Sequence, residues 1–253
     1  MAGNYLPQKR ICAHYCTSTS VLQHSIENDI SYMNVVEKEF DALAAEYENN
    51  RLASWYQAHA DEILRHCLDI DEGDILDIGC GTGHLLREYL KDRPKVRAVG
   101  IDLSSSMIEE ASRKADEAGL ANLKFIHADW ETMSLACFSG YNFRIIFCAN
   151  AFHYFTSPQD ATNKLYNLMQ DGGTLYVLER NKARSLMTFL WGILHSTVIK
   201  DQVIFYKNTE LVSFFENAGF YSVRIARSIK KYLWKNKLFT SIVLIEGKKQ
   251  AEL

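Results

Sequence analysis

Three glycines, Gly79, Gly81 and Gly83, stand at alternate positions of the chain between two short apolar segments. The stretch reads ILDIGCGTGHLL over residues 75–86. Because glycine destabilises the interior of a helix or strand, three of them so close together need a physical reason. A tight turn, a flexible hinge and a loop whose backbone contacts a ligand are the explanations open at this point.

A carboxylate, Asp102, lies near the end of the next apolar segment, KVRAVGIDL over 95–103. In a parallel sheet, ligands bind beyond the carboxyl ends of the strands, and a nucleotide-type ligand needs an acceptor there for its ribose hydroxyls. This favours the ligand-contacting loop, because a hinge requires no acid at the end of the following strand. A dinucleotide is not indicated, since Gly-x-Gly-x-x-Gly would need its third glycine where His84 or Leu86 stands.

Short apolar segments alternate with amphipathic ones after residue 73, which is the pattern of strands alternating with helices. Strands that are apolar along their whole length favour a parallel sheet covered by helices on both faces. Five such strands are predicted, over 74–79, 95–103, 123–129, 143–151 and 174–179. Two longer apolar segments, at about 221–229 and 239–246, have no helix between them, so we expect an antiparallel hairpin.

Two helices of this region carry start and stop signals. Ser106 and Glu109 have the spacing of a capping box, and Gly119 stands where the same helix should end. Ser157 and Pro158 predict the start of another helix, with the serine as its N-cap and the proline in its first turn.

The composition is that of an ordinary globular protein, with 253 residues, 47% hydrophobic residues and a formal net charge of −3. The slight negative charge gives no reason to expect a nucleic-acid partner. The most apolar segment, over 186–194, is far shorter than the roughly 20 residues of a membrane-spanning helix. The N-terminal segment does not resemble a secretion signal, so we expect the six cysteines to be free thiols and the protein to be cytoplasmic.

Two amphipathic helices are predicted before the glycine cluster, one from about Val21 to Phe40 and one over 52–68. Four potential metal ligands lie close together near the N-terminus, namely Cys12, His14, Cys16 and His24. Their spacing does not match a two-plus-two zinc pattern, so no metal site is expected.

Four landmarks in order, LDIGCGTGHLL, VGIDLSSSMIEEA, FIHADW and GGTLYVLE, make the chain resemble the class I S-adenosylmethionine-dependent methyltransferases. The resemblance extends from about Phe40 to Glu246 and is strongest with the small-molecule group that includes the quinone-biosynthesis C-methyltransferases. It implies an α/β, Rossmann-like fold: a seven-stranded, mostly parallel sheet with a C-terminal antiparallel hairpin and an N-terminal helical lid. Residues 1–36 would form a lead and lid helix, and residues 37–253 the methyltransferase domain.

S-adenosyl-L-methionine is the cofactor that this resemblance implies. Gly79 and Gly81 would let the main chain lie against its methionine portion and its ribose. Asp77 would help to order the loop and face the amino group of the methionine. Asp102 would accept hydrogen bonds from both ribose hydroxyls, and hydrogen bonds to a charged group are the stronger kind.

The resemblance also assigns the adenine and sulfonium ends of the cofactor. Leu103 and Met107 would sandwich the adenine, although residues at this spacing also serve as plain packing. Asp129 would accept from the adenine amine beside the Trp130 backbone, and a turn cap is its alternative role. Asn150, at the end of the fourth strand, would face the sulfonium through its backbone.

The lid segment FDALAAEYENNR contributes two further residues in this resemblance. Tyr47 and Arg51 would reach the methionine carboxylate of the cofactor.

Methyl transfer from a sulfonium is an in-line displacement with a neutral leaving group, so the protein mainly aligns the reacting groups. A base is needed only where the acceptor must lose a proton. His153, just after the fourth strand, is the first candidate, because histidine titrates near neutral pH. A structural histidine is the alternative. Glu179, at the end of the fifth strand, is the second candidate for the base.

Aromatic residues are frequent in the segments expected to form the acceptor pocket: Trp55, Tyr56, Phe152, Tyr154, Phe155, Phe189, Trp191, Phe205 and Tyr206. They favour a small apolar or aromatic acceptor. Methylases of exocyclic base amines or of glutamine often carry Asn-Pro-Pro-Tyr-like residues after the fourth strand, where this chain reads CANA, which counts against DNA adenine and protein-glutamine acceptors. A small-molecule acceptor methylated on oxygen or a quinone-like carbon is favoured over one methylated on nitrogen. Another reaction on the same site, such as cyclisation, or a non-catalytic cofactor-binding module are the alternatives.

One residue departs from the pattern of many relatives. Arg144 stands near the start of the fourth strand, where those relatives carry an acid. Because that acid is usually structural, the difference concerns an edge contact more than the cofactor site.

Overall fold

The computed structural model describes residues 34–49, 53–181, 205–229, 232–234, 237–239 and 242–251. Two predicted features, the cysteine–histidine cluster near the N-terminus and residues 1–33 of the lead segment, lie outside these ranges. So do Arg51 and the aromatic residues Phe189 and Trp191.

Strands and helices alternate through most of the described chain, as predicted. The strands are β1 (Gly73–Ile78), β2 (Val96–Asp102), β3 (Leu123–His127), β4 (Phe143–Ala149), β5 (Met169–Arg180), β6 (Tyr221–Ile229), β7 (Tyr232–Trp234), β8 (Lys237–Phe239) and β9 (Ile242–Lys248). The helices are α1 over 34–43, α2 (Ala53–Leu64), α3 (His84–Leu90), α4 (Ser105–Glu117), α5 (Pro158–Leu168) and α6 (Asn208–Ala218).

Seven strands form one sheet in the order β3-β2-β1-β4-β5-β9-β6. The first five are mutually parallel, and β9 lies antiparallel between β5 and β6. The predicted mostly parallel sheet with a C-terminal antiparallel pair is therefore confirmed. A short antiparallel pair, β7 and β8, stands between the two strands of that pair in the chain.

The sheet is buried on both faces, which explains why its strands read as continuous apolar runs. Ile75 and Leu76 are neighbours in β1, and both are fully buried, one in each of two apolar clusters. Ile63 of α2 and Leu86 of α3 belong to the cluster on one face. Phe215 of α6 belongs to the cluster on the other face, together with residues of α5. The described helices are all too short or too polar to cross a membrane.

Two helix caps differ from the sequence-based expectation. The N-cap of α4 is Ser104, whose Oγ accepts from the backbone N–H of Met107, so the capping box expected at Ser106 was wrong. Ser157 does hold the N-cap position of α5, but its side chain makes no capping hydrogen bond. The carboxylate of Glu131 instead accepts from the backbone N–H of Ser157 itself. The start of α5 is thus where the sequence predicts it, and the cap of α4 lies two residues earlier than predicted.

Candidate cofactor and active site

The loop between β1 and α3 turns through three glycines with positive φ, Gly79 at 70°, Gly81 at 53° and Gly83 at 74°. A Cβ on Gly79 would lie 2.3 Å from the Cβ of Ala151, and one on Gly83 would lie 2.4 Å from Cζ of Phe125. At Gly81 the nearest atom belongs to a lid tyrosine, 3.8 Å from the Cβ position. Packing therefore requires glycine at 79 and 83, whereas at Gly81 there is room for a ligand against the backbone.

Asp102 joins this glycine loop to the start of α4. Its Oδ2 accepts from the backbone N–H of Gly81 at 2.8 Å, and its Oδ1 accepts from the backbone N–H of Ser104 at 2.9 Å. Burial raises the pKa of the carboxyl, and these two hydrogen bonds partly oppose the rise. Each oxygen has a further lone pair, so the carboxylate can still accept from the hydroxyls of a sugar.

Asp77, the penultimate residue of β1, is a buried carboxylate that is only 2% exposed. Its Oδ1 has no hydrogen-bond partner among the described residues. Burial, followed by the charge of Asp102, raises its pKa well above the ordinary range. An orphaned buried carboxylate oxygen is costly unless a cation or donor reaches it, so this atom is suited to an ammonium group brought by a ligand.

Asn150, directly after β4, has a positive φ of 55°, an uncommon conformation for a residue other than glycine. Its backbone N–H donates to the carbonyl of Leu178, which fixes the bend against β5. Its side-chain nitrogen lies 2.8 Å from Nδ1 of His59, and its Oδ1 is buried with no hydrogen-bond partner in the described part of the chain. Burial lowers the pKa of His59 to about 3, so the imidazole is neutral and can serve as the acceptor.

The predicted adenine contacts lie after β2 and β3. Met107 is fully buried and Leu103 is half-buried. Asp129 caps its own turn, because its Oδ1 accepts from the backbone N–H of Glu131 and its Oδ2 from the hydroxyl of Thr132, both at 2.9 Å. These contacts are those of the alternative role, and the adenine role of Asp129 stays a prediction.

Trp130 packs into the apolar core beside Asp129 and is only 4% exposed. Its carbonyl accepts from Nζ of Lys164 at 2.5 Å, and the same ammonium lies 4.7 Å from the centroid of its ring. The backbone of the turn is thereby held in place next to the predicted adenine site.

A lid formed by α1 and the turn after it lies against the glycine loop. Tyr47, the lid tyrosine near Gly81, stacks on Tyr56 of α2 with ring centroids 4.5 Å apart and an interplanar angle of 24°. The described lid therefore contains an aromatic wall above the loop, and the predicted contact of Tyr47 with the methionine carboxylate stays a prediction.

Acidic residues of the lid attach it to the rim of this site. Glu48 accepts from the hydroxyl of Thr82, from Arg87 at 2.9 Å and from Lys114 at 2.9 Å. These contacts hold the pKa of Glu48 at about 2 despite its burial. Asp41 of α1 accepts from Oγ of Ser104 and from the backbone N–H of Ser106, the second residue of α4. The lid is thus fixed at two separate points.

His153 and Glu179, the two candidate bases, form one buried pair at the ends of β4 and β5. Nδ1 of His153 lies 2.9 Å from each carboxylate oxygen of Glu179, and its backbone N–H donates to Oε2 at 3.2 Å. Glu179 is fully buried and also accepts from the backbone N–H of Arg180 at 2.7 Å. A carboxylate on Nδ1 favours the tautomer whose lone pair is on Nε2.

Sequence reasoning missed three residues of this site, His59, Asp41 and Glu48. Their positions on amphipathic helices or beside a helix end resemble those of ordinary surface residues. Only their contacts with residues distant in the chain, Asn150, Ser104 and Arg87, identify them.

A seven-stranded, mostly parallel sheet with an acid-lined glycine loop defines the class of this site, and comparison with known proteins agrees. Residues 70–240 match the model of the methyltransferase domain family, and the chain belongs to that family. A solved structure of magnesium protoporphyrin IX methyltransferase from Synechocystis, with bound S-adenosylhomocysteine, has the same fold. Its TM-score is 0.65 over 86% of this chain and 99% of that chain, at 16% identity.

Two curated relatives are similar to parts of the chain. Malonyl-[acyl-carrier protein] O-methyltransferase of Halalkalibacterium halodurans is 31% identical over 145 residues, which are 55% of this chain and 52% of that protein. The ubiquinone/menaquinone biosynthesis C-methyltransferase of Cereibacter sphaeroides is 32% identical over 108 residues, which are 42% of this chain and 41% of that protein. The chain spans about half the length of the curated relatives it matches.

S-adenosylmethionine, the cofactor of this family, fits the residues present. The orphaned Oδ1 of Asp77 can accept from its ammonium group, Asp102 has lone pairs for its ribose hydroxyls, and Gly81 offers open backbone. The assignment of each residue to one part of the cofactor remains a prediction. In the described part of the chain, no group of three histidine, cysteine or acidic residues could hold a metal ion.

Asp102→Asn should weaken the binding of S-adenosylhomocysteine about tenfold or more, because loss of hydrogen bonds to a charged group costs roughly 1.5–3 kcal/mol. Isothermal titration calorimetry measures the effect. Asp116→Asn, which changes an exposed carboxylate on α4, is the matched control and should leave the affinity unchanged. Equal affinities for all three proteins would exclude Asp102 from the ribose site.

Asp77→Asn should stabilise the ligand-free protein while weakening its affinity for S-adenosylhomocysteine. Burial raises the pKa of Asp77, so its ionised form destabilises the empty fold at neutral pH, by roughly 1–3 kcal/mol. The gain over wild type should shrink as the pH falls toward the ordinary carboxyl pKa, where the wild-type group is protonated in both states. Thermal unfolding with and without ligand tests both signs. A lower melting temperature without ligand at pH 7 would contradict the expectation.

Glu48→Gln should accelerate the release of S-adenosylhomocysteine about tenfold, because it removes the charge that ties the lid to Arg87 and Lys114. The wild-type pKa of about 2 means that this stabilisation is present above pH 4.5 and is lost only as the pH falls toward 2. Stopped-flow displacement measures the release rate. Glu46→Gln, two residues away and exposed, is the control, and equal rates for both variants would exclude a role in retention.

Proposed function

We propose that this protein transfers a methyl group from S-adenosylmethionine to a small apolar or aromatic acceptor, on oxygen or carbon in preference to nitrogen. The observation that carries the proposal is the buried pair of His153 and Glu179 beside Asn150. A histidine held by a buried carboxylate is the arrangement of a general base, and an acceptor hydroxyl or activated carbon needs one to lose its proton.

When bound, the cofactor supplies a methyl group on a positively charged sulfur, which departs as a neutral thioether. His153 accepts the proton of the acceptor at Nε2, and the new positive charge of its ring is stabilised by Glu179 on Nδ1. Glu179 keeps its orientation because the backbone N–H groups of Arg180 and His153 both donate to it. The two side chains therefore need no rearrangement when the proton moves.

Aromatic side chains near this pair support the character of the acceptor. The ring of Tyr154 is half-exposed and lies 4.1 Å from the imidazole of His153, centroid to centroid, and it meets Phe40 of the lid edge-on at 5.8 Å. Trp55 and Tyr56 of α2 are also half-buried. By contrast, Phe152 and Phe155 are buried in the core cluster, so they support the site without lining it.

The named relatives support oxygen or carbon as the accepting atom. The first relative is named for O-methylation of malonyl-[acyl-carrier protein], and the second for C-methylation in ubiquinone and menaquinone biosynthesis. Neither relative is matched over its whole length, so the acceptor of this chain is proposed from the site and not transferred from either one.

His153→Asn should lower turnover by roughly 10²–10⁴-fold and leave the affinity for S-adenosylhomocysteine unchanged, because a general base acts only on the transfer step. Production of S-adenosylhomocysteine with phenolic and quinol acceptors, followed by mass spectrometry, measures the rate and locates the methyl group. Glu179→Gln should lower turnover less, since the histidine remains. His66→Asn, two residues beyond the end of α2, is the control.

An unaltered rate in His153→Asn would reduce this histidine to a structural residue. Binding of S-adenosylmethionine by the wild-type protein without any methylated product would favour a different reaction on the same site or a non-catalytic role.

A further inference from the structure

The groups of the site follow the strand order along the carboxyl edge of the sheet. In sequence along this edge lie Asp129 after β3, Asp102 on β2, the glycine loop after β1, Asn150 after β4, and Glu179 with Arg180 on β5. Neighbouring strands are about 4.8 Å apart, and β5 is two strands away from β1, so β5 lies roughly 10 Å from the strand that precedes the glycine loop. The β5 end, which carries Glu179, is the end proposed above for the methyl acceptor.

Arg180 brings a positive charge to this end of the site. Its guanidinium carbon lies 4.6 Å from the ring centroid of Trp55, and its side chain is half-buried. Its charge adds to the effect of burial in lowering the pKa of His59, which lies one turn further along α2. Arg180 therefore lies against an aromatic residue of α2, and it directly follows the carboxylate residue that holds the proposed base.

The described chain offers Arg180 no carboxylate within ion-pair distance. Seven of its nine arginines form such pairs, namely Arg65, Arg87, Arg93, Arg97, Arg113, Arg224 and Arg227. The other two are Arg144, which is exposed near the start of β4, and Arg180. Because no described carboxylate pairs with it, this half-buried guanidinium with one face on an indole can bind an oxyanion through two parallel hydrogen bonds.

We infer that the methyl acceptor carries an oxyanionic group, a carboxylate or phosphate apart from the atom that is methylated, and that Arg180 binds it. The inference rests on the proposed function, because it places the acceptor at the β4–β5 end. The anion pairs with the guanidinium over Trp55, which leaves the reacting atom of the same molecule to face His153. Arg180 is then a specificity residue that selects anionic acceptors over neutral ones of the same shape.

Matched acid and amide probes test this inference on the full chain saturated with S-adenosylhomocysteine. The pairs are benzoate and benzamide, phenylacetate and phenylacetamide, and 3-hydroxybenzoate and 3-hydroxybenzamide, with phenyl phosphate as the phosphate arm. The neutral partner of phenyl phosphate is phenol. Calorimetry should show at least one oxyanion binding roughly 10- to 100-fold more tightly than its neutral partner, because charge-assisted hydrogen bonds are worth about that much. Tighter binding of the carboxylates or of phenyl phosphate shows which of the two oxyanions the site prefers.

Arg180→Gln should abolish this preference and leave the affinity for S-adenosylhomocysteine and the melting temperature unchanged. Arg180→Lys should recover part of it, because the charge remains but the paired N–H groups do not. Arg144→Gln is the matched control. Arg144 is the other described arginine that forms no ion pair with a described carboxylate, and it lies at the amino end of β4, away from the site. This variant should retain the full preference.

Three results would overturn the inference: no oxyanion bound more tightly than its neutral partner, a preference that survives in Arg180→Gln, or a tenfold loss of S-adenosylhomocysteine affinity in that variant. The last would assign the guanidinium to the methionine carboxylate of the cofactor. Failure of the proposed function is separate, because it would appear as wild-type protein that binds the cofactor and forms no methylated product with any acceptor.

Discussion

The hydrogen bond from the backbone N–H of Gly81 to the carboxylate of Asp102 is the contact around which the site is organised. It holds the bend after β1 against the end of β2, and the other oxygen of the same carboxylate holds the start of α4. The bend can approach so closely because the glycines beside it leave no Cβ to collide with Ala151 or Phe125. The lid, in turn, attaches to the same two elements, so the position of the aromatic wall depends on this one carboxylate.

Acidic residues have opposite effects on the stability of the protein at the centre and at the rim of the site. Asp77 and Asp102 are buried acids whose raised pKa values mean that ionisation costs free energy in the empty protein. Asp41 and Glu48 have lowered pKa values, because donors of α3 and α4 surround them, and they stabilise the closed lid. On the assignment predicted for Asp77, the ammonium group of the cofactor would offset the cost of ionisation at the centre, and ligand binding would then restore the stability lost there.

Much of the fold could be predicted from the sequence, because it follows from local patterns. Continuous apolar runs identified the parallel strands, the absence of a helix after 229 identified the antiparallel pair, and glycine spacing located the loop. The two candidate bases, His153 and Glu179, were also recognised from their places at strand ends. Strand ends and helix caps were less accurate, as Ser106 shows, since Ser104 is selected by a lid residue, Asp41, that is 63 positions away.

The sequence by itself therefore determined the class of sheet, the place of the glycine loop and the residue types available along the carboxyl edge of the sheet. Only the tertiary structure decided how those residues are paired: His153 with Glu179, Asn150 with His59, the lid with Arg87, and Arg180 with an indole in place of an acid. The physical reason is the distance along the chain over which each property is set. Periodicity and backbone conformation are properties of neighbouring residues, whereas charge partners and burial depend on chain segments that meet only after the sheet has formed.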